Sequence, residues 1–186
     1  MLFSMKIPNL LTLLRIFLIP VFFVIYYLPG AWSPWVAAAV FGLAAITDWL
    51  DGYLARRLDQ QSPFGAFLDP VADKLMVAAA LVILVETYAT PMITIPAVII
   101  IGREIVISAL REWMAEIGER TRVSVSMIGK VKTTLQMVAI LVLIAFPPFS
   151  LYAWVGILTL YGAALLTLWS MYIYLRAAWP LLIDDI

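Results

Sequence analysis

The chain of 186 residues contains neither cysteine nor histidine. The absence of cysteine excludes disulfide bonds, thiolate metal ligands and cysteine nucleophiles. Without histidine, proton transfer near neutral pH must use a carboxylate, or less readily a lysine or a tyrosine. A bound metal ion must be held by oxygen ligands, which favours Mg²⁺, Mn²⁺ or Ca²⁺ over Zn²⁺.

Charged residues are also scarce, at 13% of the chain, whereas apolar residues make up 65%. Soluble domains are about half apolar. This composition, with a mean hydropathy of +1.03, therefore indicates an integral membrane protein. Because no polar stretch is long enough to form a separate folded domain, we predict one membrane domain over residues 1–186.

Six apolar runs follow one another along the chain, and each is near or above the roughly 20 residues that a helix needs to cross a bilayer. They predict an all-α fold, a bundle of six transmembrane helices. The predicted spans are 10–28, 35–58, 64–88, 92–114, 125–146 and 151–175. Pro70 falls inside the third span, where we expect a kink or a broken turn because proline lacks a backbone donor.

Lysine and arginine are distributed unevenly between the connections. The connections at 29–34, 87–91 and 147–150 contain neither residue, whereas the opposite set carries the positive charge. By the positive-inside rule, both termini and the connection between the second and third spans face the cytoplasm.

Four aspartates stand in the pattern D-x2-D-G-x2-A-R-x8-G-x3-D-x3-D, which we name the aspartate motif; it begins at Asp48 and ends at Asp73. On helices, Asp48 and Asp51 share one face, and Asp69 and Asp73 share a face of the next helix. An ionised aspartate at membrane depth is costly unless it is paired, metal-bound or facing water. Such carboxylates can bridge two divalent ions about 3.5–4 Å apart, as in two-metal phosphoryl chemistry. We predict a site for two divalent cations, Mg²⁺ or Mn²⁺.

Three small residues, Gly52, Ala55 and Gly65, lie on the aspartate-bearing side and leave space where larger side chains would fill it. A nucleotide diphosphate fits this space, with its phosphates on the metal ions. Arg56 borders the same face and supplies a further cation.

The alternative is a structural role for the motif. The aspartates would then pair with Arg56, Arg57 and Lys74, and the glycines would serve helix packing. Eight specified positions at fixed spacing across two spans favour the metal site, because an isolated D-x2-D would be a weak signal.

The aspartate motif resembles the signature of the CDP-alcohol phosphotransferase family at all eight positions: Asp48, Asp51, Gly52, Ala55, Arg56, Gly65, Asp69 and Asp73. The segments IPNLLTLLRIFLIP, GREIVISALREWM and GKVKTTLQM are similar to bacterial members whose acceptor is glycerol 3-phosphate. The resemblance covers nearly the whole chain. It implies an enzyme of the bacterial cytoplasmic (inner) membrane, with its active site facing the cytoplasm, that transfers phosphatidyl from CDP-diacylglycerol to the acceptor and releases CMP.

The resemblance also implies the role of each motif residue. The first metal ion is held by Asp48, Asp51 and Asp69, and the second by Asp48, Asp69 and Asp73. Asp73 is in addition the catalytic base, which agrees with the absence of histidine. The implied contacts to CDP are Gly52, Ala55, Arg56 and Gly65, with Asn9 and Thr12 at the nucleotide end.

A second set of basic residues, the cationic cluster, lies near the cytoplasmic ends of the fourth and fifth spans. It consists of Arg103, Arg111, Lys130 and Lys132. Such a cluster suits an acceptor that already bears a phosphate, as glycerol 3-phosphate does. The alternative is a topological signal in contact with anionic lipid headgroups; the resemblance favours the acceptor site. Arg15, inside the first span, either faces the same cavity or extends to the interface.

Other functions are open to a chain with this composition. Intramembrane prenyltransferases also bind a diphosphate with aspartates and Mg²⁺, but the G-x2-A-R and G-x3-D-x3-D elements fit them poorly. A transporter or channel fits less well because the acids cluster at one membrane face. Within the family, inositol phosphate, serine and a second phospholipid are alternative acceptors. We expect membrane lipids as neighbours, a homodimer, and no nucleic-acid partner.

Overall fold

A computed structural model describes residues 7–57, 63–118 and 127–184, and over these ranges the protein is all-α with six helices. The prediction of an all-α six-helix bundle is confirmed. The helices are α1 (Ile7–Tyr27), α2 (Ser33–Arg57), α3 (Pro63–Tyr88), α4 (Pro91–Glu116), α5 (Met127–Ala145) and α6 (Leu151–Asp184).

The helix ends differ from the predicted spans in two places. α6 continues to Asp184, beyond the predicted end at residue 175, because hydropathy marks the end of the apolar stretch and not the end of the helical backbone. α3 runs through Pro70 without interruption, so the broken turn expected there is excluded.

The connections between α1 and α2, α3 and α4, and α5 and α6 are short and use residues suited to turns. Thr90 is extended, with φ −135° and ψ 149°, and Pro91 follows as the first helical residue of α4. Gly118 ends α4 with a φ of +82°, a conformation that glycine adopts without steric cost.

α3 lies in the middle of the bundle, in contact with α1, α2, α4 and α5. α1 packs mainly against α2, and α6 packs against α5 and α4. The central core contains Phe22, Phe41, Leu84, Ile93 and Ile140, all at most 1% exposed. This arrangement places the two motif helices, α2 and α3, beside α1 and α5.

The outer faces of the helices are strongly apolar. Leu151, Leu158 and Phe67 are 78%, 71% and 69% exposed, which is typical of a surface in contact with lipid. Among the described residues, Asn9–Tyr27, Pro91–Glu116 and Leu151–Pro180 are long and apolar enough to cross a membrane. The apolar stretches Ser33–Asp48 and Val131–Ala145 are shorter.

Candidate active site

The acidic half of the site consists of Asp48, Asp69 and Asp73. Asp48 lies near the end of α2 and its side chain is 41% exposed. Arg15 Nη1 of α1 donates to Asp48 Oδ1 at 2.7 Å, and the Arg15 side chain is only 1% exposed. Arg15 therefore points into the bundle and not to the membrane interface, but it lies beside Asp48 and Asp73 and not in the cavity of the cationic cluster.

Asp69 and Asp73 lie one turn apart on α3, on the side that faces α1 and α2. The hydroxyl of Thr12 on α1, which is completely buried, donates to Asp69 Oδ1. The carboxylates of Asp48 and Asp69 repel each other electrostatically, and so do those of Asp48 and Asp73. Asp48 and Asp73 line one cavity, and Asp69 lies one turn before Asp73 on α3.

Asp73 stands between two small cavities. One is lined by Arg15, Asp48 and Asp73, with apolar side chains from α2, α3 and α5. The other is lined by Asp73, Glu104, Lys132 and Gln136, among others. Asp73 therefore connects the acidic site to the side chains of α4 and α5.

Glu104 forms ion pairs with two residues of the cationic cluster. Its Oε1 atom accepts from Arg103 Nη1 at 2.7 Å and from Lys132 Nζ at 3.1 Å. Arg103 also donates to Ser170 Oγ of α6 at 3.3 Å. Lys132 is buried, which is rare for a lysine and requires a nearby anion. One carboxylate oxygen of Glu104 therefore holds Arg103 and Lys132, two of the predicted acceptor-binding residues, close to each other.

Tyr174 of α6 contacts two arginines of the cationic cluster, Arg103 and Arg111. The guanidinium carbons of Arg103 and Arg111 lie 5.9 Å and 5.7 Å from the centroid of the Tyr174 ring, within the range of cation–π attraction. Tyr174 is 8% exposed, whereas Arg111 is exposed. Because a tyrosine in a long apolar span carries no distinctive signal, sequence reasoning missed this residue.

The remaining predicted residues divide into two groups. Gly65 is buried in α3, and Asn9 is partly exposed on α1, one turn before Thr12. The side chains of the others, which are Asp51, Gly52, Ala55, Arg56 and Lys130, lie outside the described part of the structure. The side chain of Arg57, named in the salt-bridge alternative, is not described either, and Lys74 donates to Ser108 Oγ.

Comparison with known proteins decides the family. Residues 5–173 match the family described as CDP-alcohol phosphatidyltransferase. The chain belongs to this family. The resemblance inferred from the aspartate motif is thereby confirmed over most of the sequence.

Individual CDP-alcohol phosphatidyltransferases are similar to the chain over nearly its full length. A protein of Pseudomonas fluorescens is 58% identical over 188 aligned positions, and the alignment covers 97% of this chain and 94% of the relative. One from Escherichia coli strain K12 is 56% identical over 180 residues, covering 97% and 98%. Both relatives bear the name CDP-diacylglycerol–glycerol-3-phosphate 3-phosphatidyltransferase.

The donor atoms at the acidic site fit the divalent cations that the family resemblance implies. Asp48, Asp69 and Asp73 supply only carboxylate oxygens, the ligands that Mg²⁺ and Mn²⁺ prefer. Within ranges 7–57, 63–118 and 127–184, no three acidic side chains form a ready-made metal-binding group. The fourth ligand of the predicted set, Asp51, is among the side chains that are not described.

Proposed function

We propose that the protein transfers the phosphatidyl group of CDP-diacylglycerol to glycerol 3-phosphate, giving phosphatidylglycerophosphate and CMP. The observation that carries this proposal is the similarity, over 97% of the chain, to relatives named for that reaction. The geometry supports it, because Asp73 lines one cavity with Asp48 and a second cavity with Lys132 of the cationic cluster.

In the proposed reaction, an acceptor hydroxyl oxygen attacks the phosphorus that bears the diacylglycerol. A new P–O bond forms as the bond to the bridging diphosphate oxygen breaks, and CMP leaves. Asp73 accepts the proton of the attacking hydroxyl. Asp48, Asp51, Asp69 and Asp73 would hold the divalent cations, and these would supply positive charge to stabilise the diphosphate oxygens.

The acceptor is the part of this proposal that needs a direct test. Purified protein is incubated with CDP-diacylglycerol, Mg²⁺ or Mn²⁺ and one labelled alcohol at a time, and the labelled lipid is measured. We expect product with glycerol 3-phosphate. Product with inositol phosphate, serine or phosphatidylglycerol alone would assign the chain to another branch of the family.

A first prediction concerns the acceptor phosphate. The Arg111→Gln and Lys132→Gln variants each remove a charge-assisted contact worth roughly 1.5–3 kcal/mol, so the KM for glycerol 3-phosphate should rise at least about tenfold. Affinity for CDP-diacylglycerol should hardly change. Arg176→Gln, an exposed arginine on α6, serves as the control and should keep the wild-type KM. An unchanged acceptor KM in a folded variant would exclude that residue from the site.

A second prediction concerns orientation, which we propose places the aspartate motif in the cytoplasm of a bacterium. Because the chain has no native cysteine, single introduced cysteines can be labelled without background. Gln60→Cys should react only from the cytoplasmic side and Ala31→Cys only from the opposite side. Gly30 is unsuitable, since its φ of +142° and a Cβ position 2.5 Å from the Trp32 ring leave no room for a side chain. Reversed labelling would contradict the proposed orientation.

We also propose a homodimer for the intact protein.

A further inference from the structure

Gln136 on α5 is a buried polar residue that the proposed reaction has not yet used. Its side chain is 4% exposed, and its carboxamide oxygen has no hydrogen-bond partner among the described residues. Buried carboxamide groups are almost always hydrogen-bonded, because desolvation without a partner costs free energy. Beside a candidate active site, a buried oxygen of this kind is available to a bound ligand.

The position of Gln136 limits which ligand could form a hydrogen bond with it. Gln136 lies one helical turn after Lys132 on α5, so both residues project from the same face. They line the cavity that also contains Asp73 and Glu104. Gln136 therefore borders the space between the proposed base and the residues proposed to bind the acceptor phosphate.

The chemistry of glycerol 3-phosphate matches this space. Its phosphate is at one end, its primary hydroxyl at the other, and a secondary hydroxyl between them. With the phosphate near Lys132 and the reacting primary hydroxyl near Asp73, the secondary hydroxyl comes to the middle of the cavity. We propose that the Gln136 carboxamide hydrogen-bonds this secondary hydroxyl and thereby selects for a glycerol backbone, an inference that rests on the proposed function.

Two features make the carboxamide suitable for this task. It carries both an acceptor oxygen and donor hydrogens, and a hydroxyl group can donate or accept, so either rotamer of the amide forms the contact. It is also uncharged and adds no repulsion to the acceptor phosphate beside Glu104. A site built to bond a hydroxyl discriminates strongly against an analogue that lacks it, because its polar group is then left without a partner.

The test compares two acceptors in two proteins. Glycerol 3-phosphate carries the secondary hydroxyl, and 3-hydroxypropyl phosphate is the same three-carbon acceptor without it. For the wild-type protein we expect kcat/KM to be at least about tenfold lower with 3-hydroxypropyl phosphate, the loss expected for one hydrogen bond to a buried group. In Gln136→Leu, kcat/KM for glycerol 3-phosphate should fall about tenfold and the two acceptors should differ by less than about threefold.

Two further variants separate recognition from folding. Gln136→Glu keeps an acceptor oxygen, so it should preserve the preference for glycerol 3-phosphate even though its charge raises both KM values. Thr134→Val alters a polar residue two positions away on the exposed side of α5, and both acceptors should behave as in the wild type. If Gln136→Leu does not fold, a loss of the acceptor preference in Gln136→Glu overturns the inference.

The outcomes distinguish this inference from the proposed function. If the wild-type protein transfers phosphatidyl to neither acceptor, the proposed function itself is wrong. If the wild-type protein is active but does not distinguish the acceptors, or if Gln136→Leu retains the full preference, only the role of Gln136 is wrong. An equal loss of activity toward both acceptors in Gln136→Leu identifies a structural residue and also overturns the inference.

Discussion

Replacing Asp73 by asparagine should lower kcat by about 10²–10⁴-fold, the usual contribution of a general base. Asparagine has nearly the same shape as aspartate but cannot accept the proton of the acceptor hydroxyl. The substitution also weakens one proposed metal ligand. Asp48 and Asp69, the proposed ligands shared by both metal ions, are unchanged, so CDP-diacylglycerol should still bind.

This prediction requires activity and binding to be measured on the same preparation. CMP release gives the turnover, and equilibrium binding of CDP-diacylglycerol in Mg²⁺ shows that the donor site is intact. Glu86→Gln is a suitable control, because Glu86 lies on the same helix at the opposite end of the bundle, where Tyr27 donates to it. Turnover close to the wild type in Asp73→Asn would show that another group accepts the proton.

The sequence predicts the helices well because the signal for them is local. Apolar runs separated by turn residues define six helices, and the spacing of Asp69 and Asp73 fixes their common face wherever the helix packs. The helix ends are less well predicted, as α6 shows, because a helix continues past its apolar stretch when no residue stops it.

The partners of these residues depend on how one helix is rotated against another, and the sequence carries little information about that rotation. Arg15 and Thr12 lie three residues apart on α1, and only the packing of α1 on α2 and α3 shows that they contact Asp48 and Asp69. The same holds for the cationic cluster. Its basic residues are visible as charges, whereas the role of Tyr174 depends on the contact between α4 and α6.

The contact between Arg15 and Asp48 leads to a prediction about Asp48. Asp48→Ala removes a proposed metal ligand, and it also removes the carboxylate that lies 2.7 Å from a buried arginine. Loss of one partner of a fully buried pair typically costs about 3–5 kcal/mol. Because Asp48 is 41% exposed, we expect a smaller loss, about 2 kcal/mol, which lowers the Tm by roughly 4–8 °C in a chain of this size.

A double variant separates the two roles of Asp48. In Arg15→Leu with Asp48→Ala, the buried charge is gone, so most of the lost Tm should return. Transfer activity should stay as low as in Asp48→Ala, and so should the affinity for Mn²⁺, measured by equilibrium binding without substrate, because the proposed ligand is still missing. If Asp48→Ala keeps the wild-type Mn²⁺ affinity, Asp48 is not a metal ligand and its pairing with Arg15 is structural. If the double variant instead regains activity together with stability, the loss in Asp48→Ala came from unfolding, and the assignment of Asp48 to the metal site is wrong.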